Sequence, residues 1–405
     1  MTAAASSPRT TKASRGPSRS ARAWALALLA LGAAGAGIPS PLYPAYQAQL
    51  GFSDATLTAI YAVYPLVSVP AVFLLGPLGD RLSPRRVMRW GIVVAAAGSV
   101  ALAFATSTEW LFLGRVAYGI ALAVVTGAGV AVATSGADKV RAGLVSATVF
   151  ILGTGLGPVL GGALTRFGPG PGVVPFGVTL VLLAVVFVGL RTVHDPGLRP
   201  STESEAPEDD SAMTRTVRRA LVVAAVNGFL GWAVVGLFLG LISSVAERFL
   251  GIRDPLASGG LTAALLVCST LTVPLVTRLG PRRAQLVGLV ALAVALVVLA
   301  PGVNSLVAVL VAAVVAGLAN GLLYSGATTI VATTAPPARA SGTAAAVYSA
   351  FFLGAGLPAL LVGLLTNALP LDTALSTIAV ATLALTVLMI VLSALDRRRR
   401  APTRH

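Results

Sequence analysis

Arg115 is the residue of this sequence whose position most clearly suggests a chemical role. It lies several residues inside an apolar stretch that begins at Trp110. A charged side chain inside a membrane span costs about 2.5 to 3.5 kcal/mol on insertion scales, and such residues usually face a water-filled interior where they handle charge. The alternative is that Arg115, only a few residues from the end of the stretch near Glu109, extends its long side chain to the membrane interface.

Carboxylates would be the natural charge partners of Arg115 and the natural carriers of protons. All 14 acidic residues fall in predicted turns, tails or helix ends, and none lies in the middle of an apolar stretch. Asp54, Glu109 and Asp80 remain as candidates for coupling, with Arg115 as a possible charge partner.

Other chemistry has few candidates in this sequence. His194 and His405, the only two histidines, lie in a linker and at the chain end, so no catalytic triad or metal cluster can be assembled. No phosphate-binding loop is present, which removes ATP as a direct energy source. Cys268 is the single cysteine and lies in an apolar run, where packing explains it. We therefore expect no enzyme, no cofactor and no metal site.

The composition indicates an integral membrane protein. Of 405 residues 56% are hydrophobic and only 11% are charged, which is too little polar surface to cover soluble domains. The net charge of +15 could indicate nucleic acid binding, but the arginines lie in short turns between apolar runs. Anionic lipid headgroups of the bilayer are therefore the expected partners, rather than nucleic acid.

A membrane span needs about 20 mostly apolar residues, and this criterion predicts about twelve helices. The predicted spans are Trp24 to Tyr46, Ala55 to Leu75, Val87 to Thr106, Trp110 to Ser135, Arg141 to Leu164, Val173 to Leu190, Ala220 to Ala246, Leu256 to Val276, Ala284 to Val303, Leu306 to Thr333, Gly342 to Leu365 and Thr373 to Leu395. The fold class expected from this pattern is all-α and integral to the membrane.

The polar segments divide the chain into five parts. We predict a disordered cytosolic tail over 1–22, a six-helix bundle over 23–192, a cytosolic linker over 193–218, a second bundle over 219–396 and a basic cytosolic tail over 397–405. If the N-terminus is cytosolic, all but four of the 29 basic residues lie on the cytosolic side. The positive-inside rule therefore predicts a multi-pass protein of the cell (plasma or inner) membrane with both termini in the cytosol.

A charged turn between two apolar runs occurs twice. Residues 76–91 read GPLGDRLSPRRVMRWG, and residues 275–288 read LVTRLGPRRAQLVG, with Thr277 where the first copy has Asp80. A turn repeated at half-chain spacing is typical of internally duplicated transporters, whose halves pack around a central path. We expect the first copy to act as a conformational switch, through Gly76, Asp80, Arg81, Arg85 and Arg86.

A second motif lies in the predicted fifth helix. Gly153, Gly157, Pro158, Gly161 and Gly162 follow the pattern G-x-x-x-G-P-x-x-G-G at every fixed position, and Gly354, Gly356 and Pro358 echo it in the eleventh helix. Glycines at this spacing let a neighbouring backbone approach closely, and the proline bends the helix. Generic packing of small residues is the alternative explanation.

With these motifs the sequence resembles the major facilitator superfamily over nearly its whole length. The turn is similar to that family's G-x-L-x-D-R-x-G-R/K-R/K motif, although Ser83 and Pro84 depart from it. The glycine motif resembles the antiporter branches, and Arg115, Tyr118 and Gly119 resemble an R-x-x-Q-G element in which tyrosine replaces glutamine. The resemblance implies two pseudo-symmetric six-helix bundles and the drug:proton antiporter, or multidrug efflux, branch.

Polar and aromatic residues inside the spans are candidates for lining the path. The first span ends with three prolines in six residues, Pro39, Pro41 and Pro44, so it must break, and unwound backbone is tolerated where it lines a cavity. Each side chain alone could instead be an interfacial anchor or a contact between helices. The candidates are Tyr43, Tyr46, Gln47, Tyr61, Tyr64, Tyr118, Asn227, Trp232, Asn320, Tyr324 and Tyr348.

Together these residues describe an aromatic and largely uncharged cavity. The expected function is alternating-access export of a hydrophobic or amphipathic small molecule in exchange for protons, by a monomer. The alternatives are a uniporter or symporter of a neutral metabolite and a non-transporting membrane receptor or scaffold.

Overall fold

The computed structural model describes residues 18–134, 139–167, 172–192, 214–336 and 340–400. Within these ranges it describes all side chains except those of residues 76–81, 131, 134, 139–140, 167, 192, 340–341 and 396–400. In the described ranges, twelve helices are long and apolar enough to cross a membrane. The chain is therefore all-helical across the bilayer, as the length criterion predicted.

The first six spans are built from seven α-helices and one short 3₁₀ turn. They are α1 (Arg19–Gly37), a 3₁₀ turn (Ser40–Leu42), α2 (Tyr43–Leu50), α3 (Asp54–Arg81), α4 (Pro84–Ala103), α5 (Thr108–Thr134), α6 (Lys139–Phe167) and α7 (Val173–Thr192). The last six are α8 (Arg215–Leu250), α9 (Pro255–Thr272), α10 (Leu275–Leu279), α11 (Pro281–Gly302), α12 (Leu306–Thr334), α13 (Ala340–Leu365) and α14 (Leu371–Arg400).

The first span breaks where its prolines predict a break. Helix α1 ends at Gly37, and the chain passes through the 3₁₀ turn before α2 continues to Leu50. Proline lacks the N–H that continues a helix ladder, so clustered prolines disrupt a span. The helix starts earlier than predicted, at Arg19, because the Ser18 hydroxyl caps it by accepting from the Ala21 N–H. Pro274 similarly separates α9 from α10.

The two halves repeat the same packing. Helix α6 packs on α1 in the first half, and α13 packs on α8 in the second. Between the halves, α6 packs on α9 and α3 packs on α13. Because the number of spans is even, both termini lie at one end of the bundle, here called the terminus end. The opposite end, which carries Asp54 and Asp254, is called the far end.

Candidate functional site

A small cavity lies between the two halves, with about 20 Å³ of space for water-sized molecules in this conformation. It is nearer the terminus end, since its wall includes Val130 near the end of α5 and Ser146 near the start of α6. The lining residues, none of them charged, are Leu29, Thr126, Val130, Ser146, Ala147, Phe150, Trp232, Tyr324, Tyr348, Phe351 and Phe352. A volume of this size holds about one water molecule, so a small molecule would enter only when the halves separate further.

Five rings form a connected aromatic cluster on the cavity wall: Phe150, Trp232, Tyr324, Tyr348 and Phe351. Phe150 comes from the first half, and its ring centroid lies 5.6 Å from that of Trp232 and 6.2 Å from that of Tyr324. Tyr324 contacts Trp232 and Phe351, and Phe351 contacts Tyr348. The cluster therefore crosses the boundary between the halves, so a molecule bound against it touches both.

Arg115 lies in α5 with no exposed surface. Its guanidinium donates to the Ala36 carbonyl at 2.7 Å and to the Tyr61 carbonyl at 3.4 Å, and it lies 4.1 Å from the ring centroid of Tyr64. Among the described residues no carboxylate pairs with it, and its Nε has no hydrogen-bond partner. The interfacial alternative requires an exposed guanidinium, whereas this one is enclosed by backbone oxygens and aromatic rings.

The remaining first-half candidates lie away from the cavity wall. The Tyr46 hydroxyl donates to the Leu102 carbonyl at 2.9 Å, and the Tyr118 hydroxyl is 2.7 Å from the Ser99 hydroxyl. Tyr43 is buried, and its hydroxyl has no partner among the described residues. These tyrosines and Tyr64 are buried in the first half, whereas the ring of Tyr61 also packs against Gly240 of α8.

In the second half, the two asparagines bridge helices. Asn227 of α8 donates to the Gln285 side chain of α11 at 3.1 Å, and Asn320 of α12 donates to the Ser269 hydroxyl of α9 at 3.3 Å. Trp232, Tyr324 and Tyr348 are the candidates that the structure places on the cavity wall.

Sequence reasoning did not single out Phe150 and Phe351. A signal was present, since each phenylalanine precedes the first glycine of its half's glycine motif, Gly153 or Gly354, by three residues. Equivalent positions of a duplicated chain face the same central path. Aligning the two halves on these glycines would have identified both rings.

The glycine motif of α6 has two packing faces. A Cβ added at Gly153, Gly157 or Gly161 would come closer than 3.0 Å to the carbonyl oxygen of Ala30, Ala34 or Ile38 on α1, a distance that real Cβ atoms essentially never show. On the other face, a Cβ added at Gly162 would meet the Pro255 carbonyl oxygen of α9, and one added at Gly259 of α9 would meet the Pro158 carbonyl oxygen. Helix α6 is thus held against both halves at backbone distance.

At the terminus end, the described part of the charged turn contacts the end of α7. Arg85 donates from Nη2 to the Arg191 carbonyl, and Arg86 is exposed. The side chains of Gly76, Asp80 and Arg81 lie outside the described residues, so the expected switch at Asp80 stays a prediction.

Two ion pairs join the halves at the far end. The Arg248 guanidinium contacts both Asp54 carboxylate oxygens, at 2.5 and 2.6 Å, and Gln47 Nε2 donates to Asp54 at 2.8 Å. Arg166 contacts Asp254 at 2.6 Å. We call these five residues the far-end lock. Glu109 is exposed and takes no part in it.

Removing one charge of the far-end lock should favour opening at that end. We expect Asp54→Asn to raise the labelling rate of a cysteine buried behind the lock roughly three- to fivefold, because a partly exposed ion pair contributes up to about 1 kcal/mol to the state that contains it. The measurement is labelling by a maleimide, in nanodiscs, of a Ser244→Cys, Cys268→Ser protein. Ser244 is 4% exposed on α8, and its hydroxyl has no partner among the described residues.

Asp372→Asn is the matched control, because its carboxylate accepts from Thr373 at the start of its own helix. Unchanged labelling in Asp54→Asn would show that the ion pair does not hold the halves together.

The fold and cavity define a two-bundle membrane transporter. The Major Facilitator Superfamily profile matches residues 25–273 and 255–405, so the chain belongs to that superfamily. Its members are transporters rather than enzymes.

Curated relatives include efflux and resistance proteins. The multidrug efflux protein YfmO of Bacillus subtilis (strain 168) is 26% identical over 341 residues, which cover 82% of this chain and 83% of that protein. The class B tetracycline resistance protein of Escherichia coli is 26% identical over 277 residues, covering 60% of this chain and 68% of that protein.

Two solved structures share the fold. A bacterial homologue of the human lysosomal transporter Spinster, described as inward-facing and unoccupied, gives a TM-score of 0.70 at 16% identity and covers 94% of this chain and 98% of that chain. The nucleoside transporter NupG gives 0.69 at 16% identity, covering 92% and 99%. At these identities the likeness supports the fold alone.

Proposed function

We propose that this protein is an alternating-access exporter that exchanges a hydrophobic or amphipathic small molecule for protons. The observation that carries the proposal is the uncharged aromatic cavity, which both halves build and which lies behind the far-end lock. A site shared by two bodies that rock against each other can be exposed to each side in turn. The efflux and resistance activities named for the relatives agree with export.

The charges of the turns indicate on which side of the membrane the cavity lies. Arginines cluster at the terminus end, for example Arg85, Arg86, Arg282 and Arg283. The positive-inside rule supports assigning this end to the cytosol, and the proposed location is the plasma or inner membrane. In the conformation described, the cavity therefore lies on the cytosolic side, where an exporter takes up its substrate. Because one chain supplies both walls, a monomer suffices.

Proton coupling is assigned to the surroundings of Arg115. Among the described residues, the buried guanidinium contacts carbonyl oxygens and aromatic rings and no carboxylate, so within this part of the chain its positive charge has no counter-charge. Such a charge is costly, so a carboxylate that loses its proton near the guanidinium would lower the free energy of the state that brings the two together. Because arginine keeps its proton in proteins, the transported proton needs another carrier, for which Asp54, Asp80 and Glu109 are the candidates.

If the protein is an antiporter, the substrate and the proton move in opposite directions, and each movement depends on the other. In inside-out vesicles with an acidic interior, adding acridone or ethidium as probes should raise the internal pH if the probe is transported, because protons leave as it enters. The measurement is a pH-sensitive dye trapped inside the vesicles, compared with vesicles that lack the protein.

A probe that enters down its own gradient without any change in internal pH would indicate a uniporter, and proton movement in the same direction as the probe would indicate a symporter. Specific binding without movement of any probe would support the receptor alternative.

A further inference from the structure

The cavity has a shape and a polarity that select among small molecules. Two of its lining rings, Phe150 and Tyr324, stack across the boundary between the halves and define a slot. Phe150 and Tyr324 come from opposite halves, and their ring planes lie within 17° of parallel with centroids 6.2 Å apart. A planar ring held between two others needs about 7 Å, twice the carbon–carbon contact distance of about 3.5 Å. A small separation of the halves would therefore admit a flat molecule between these two rings.

One polar group faces this slot without a partner. Trp232 lines the cavity and is 4% exposed, and its indole Nε1–H has no acceptor among the described residues. A buried donor left unpaired is costly, so a ligand that supplies an acceptor gains the hydrogen bond that the protein does not make. The indole N–H can donate but cannot accept.

A positively charged ligand is disfavoured in the same place. Rings attract cations, but none of the lining side chains is acidic. The guanidinium of Arg115 is bound to the Ala36 carbonyl, seven residues along α1 from Leu29 of the cavity wall, or roughly 10 Å. At that distance, repulsion between the guanidinium and a cationic ligand would weaken binding of the ligand on the order of tenfold at an effective dielectric constant of about 20.

We propose that the cavity binds planar aromatic compounds that carry a hydrogen-bond acceptor and no positive charge, held between Phe150 and Tyr324 with the acceptor on Trp232 Nε1. The inference rests on the proposed function in one respect, because it takes the cavity as the substrate site. Because the two rings belong to different halves, a flat ligand between them also senses their relative position.

Binding to purified protein in detergent tests this selectivity without any proton gradient. Acridone is flat and neutral and carries a carbonyl acceptor, and its own fluorescence anisotropy reports binding. We expect 10-methylacridinium, a flat cation without an acceptor, to bind at least about tenfold more weakly. We expect 2-adamantanone, which has a carbonyl but is not flat, to displace acridone only weakly.

Substituting the indole isolates the hydrogen bond. Trp232→Phe should weaken acridone binding roughly five- to tenfold, the loss of one buried hydrogen bond, and leave 10-methylacridinium binding unchanged. Trp110→Phe, at a tryptophan that is 45% exposed on α5, is the matched control and should leave both affinities unchanged.

The proposal is overturned if folded protein does not bind acridone, if the cation binds as tightly, if 2-adamantanone competes equally, or if Trp232→Phe keeps full acridone affinity. Since these measurements need no transport, acridone binding without proton exchange would contradict the proposed antiport alone. Proton exchange with a probe that lacks these features would contradict the selectivity alone.

Discussion

Gly157→Arg is expected to abolish transport. Even a Cβ at this position would overlap the Ala34 carbonyl oxygen of α1, which is backbone and cannot rotate away. Overpacking a close contact costs about 1 to 3 kcal/mol for added methylenes, and a long charged side chain exceeds that. Helices α1 and α6 would have to separate along the stretch that leads to Phe150. The measurement is gradient-driven exchange at matched protein levels in the membrane, together with thermal stability.

The matched control is Gly143→Arg on the same helix. A Cβ at Gly143 meets no atom within 4 Å, so the added side chain has space. We expect this variant to retain most of its activity. Equal transport by the two variants would contradict the role assigned to close packing of α6 on α1.

Arg115→Ala is expected to reduce pH-driven exchange by about tenfold or more. The Ala36 and Tyr61 carbonyls would lose their donor. Hydrogen bonds to charged groups are worth about 1.5 to 3 kcal/mol each. Substrate affinity should change much less, since Arg115 is not on the cavity wall. Arg115→Lys should recover only part of the exchange, because an ammonium lacks the planar fork that spans two carbonyls and lies against Tyr64.

Exchange in proteoliposomes and acridone binding in detergent, measured on the same preparations, separate these two effects. Arg253→Ala, at an exposed arginine between α8 and α9, serves as the control. Full proton-driven exchange by the Ala variant would remove Arg115 from the coupling mechanism.

The membrane makes much of this fold predictable from sequence. Apolar runs of span length predict helices because backbone groups in lipid must bond internally, and the structure has twelve such helices. The break at Pro39 and Pro41 was predictable for the same reason, since proline removes a donor.

The site was less predictable, because a sequence gives the type of a residue but not which neighbour its helix face meets. Gln47 was proposed for the cavity but lies in the far-end lock with Asp54 and Arg248, a pair separated by 194 residues in the chain. Phe150 carries no polar group to mark it, and its position became clear only once α6 and α12 were placed side by side.

The two faces of α6 imply two different kinds of evolutionary constraint on a single helix. Contacts of Gly153, Gly157 and Gly161 with α1 lie within one half, so they would persist through the proposed alternating-access cycle. Contacts of Pro158 and Gly162 with α9 cross between the halves, so the proposed cycle would break and remake them at every turnover. Changes on the first face thus alter the structure of one half in every state, whereas changes on the second alter how long each molecule stays in one state. Laboratory selection for faster turnover would accordingly accumulate substitutions on the α9 face and spare the α1 face.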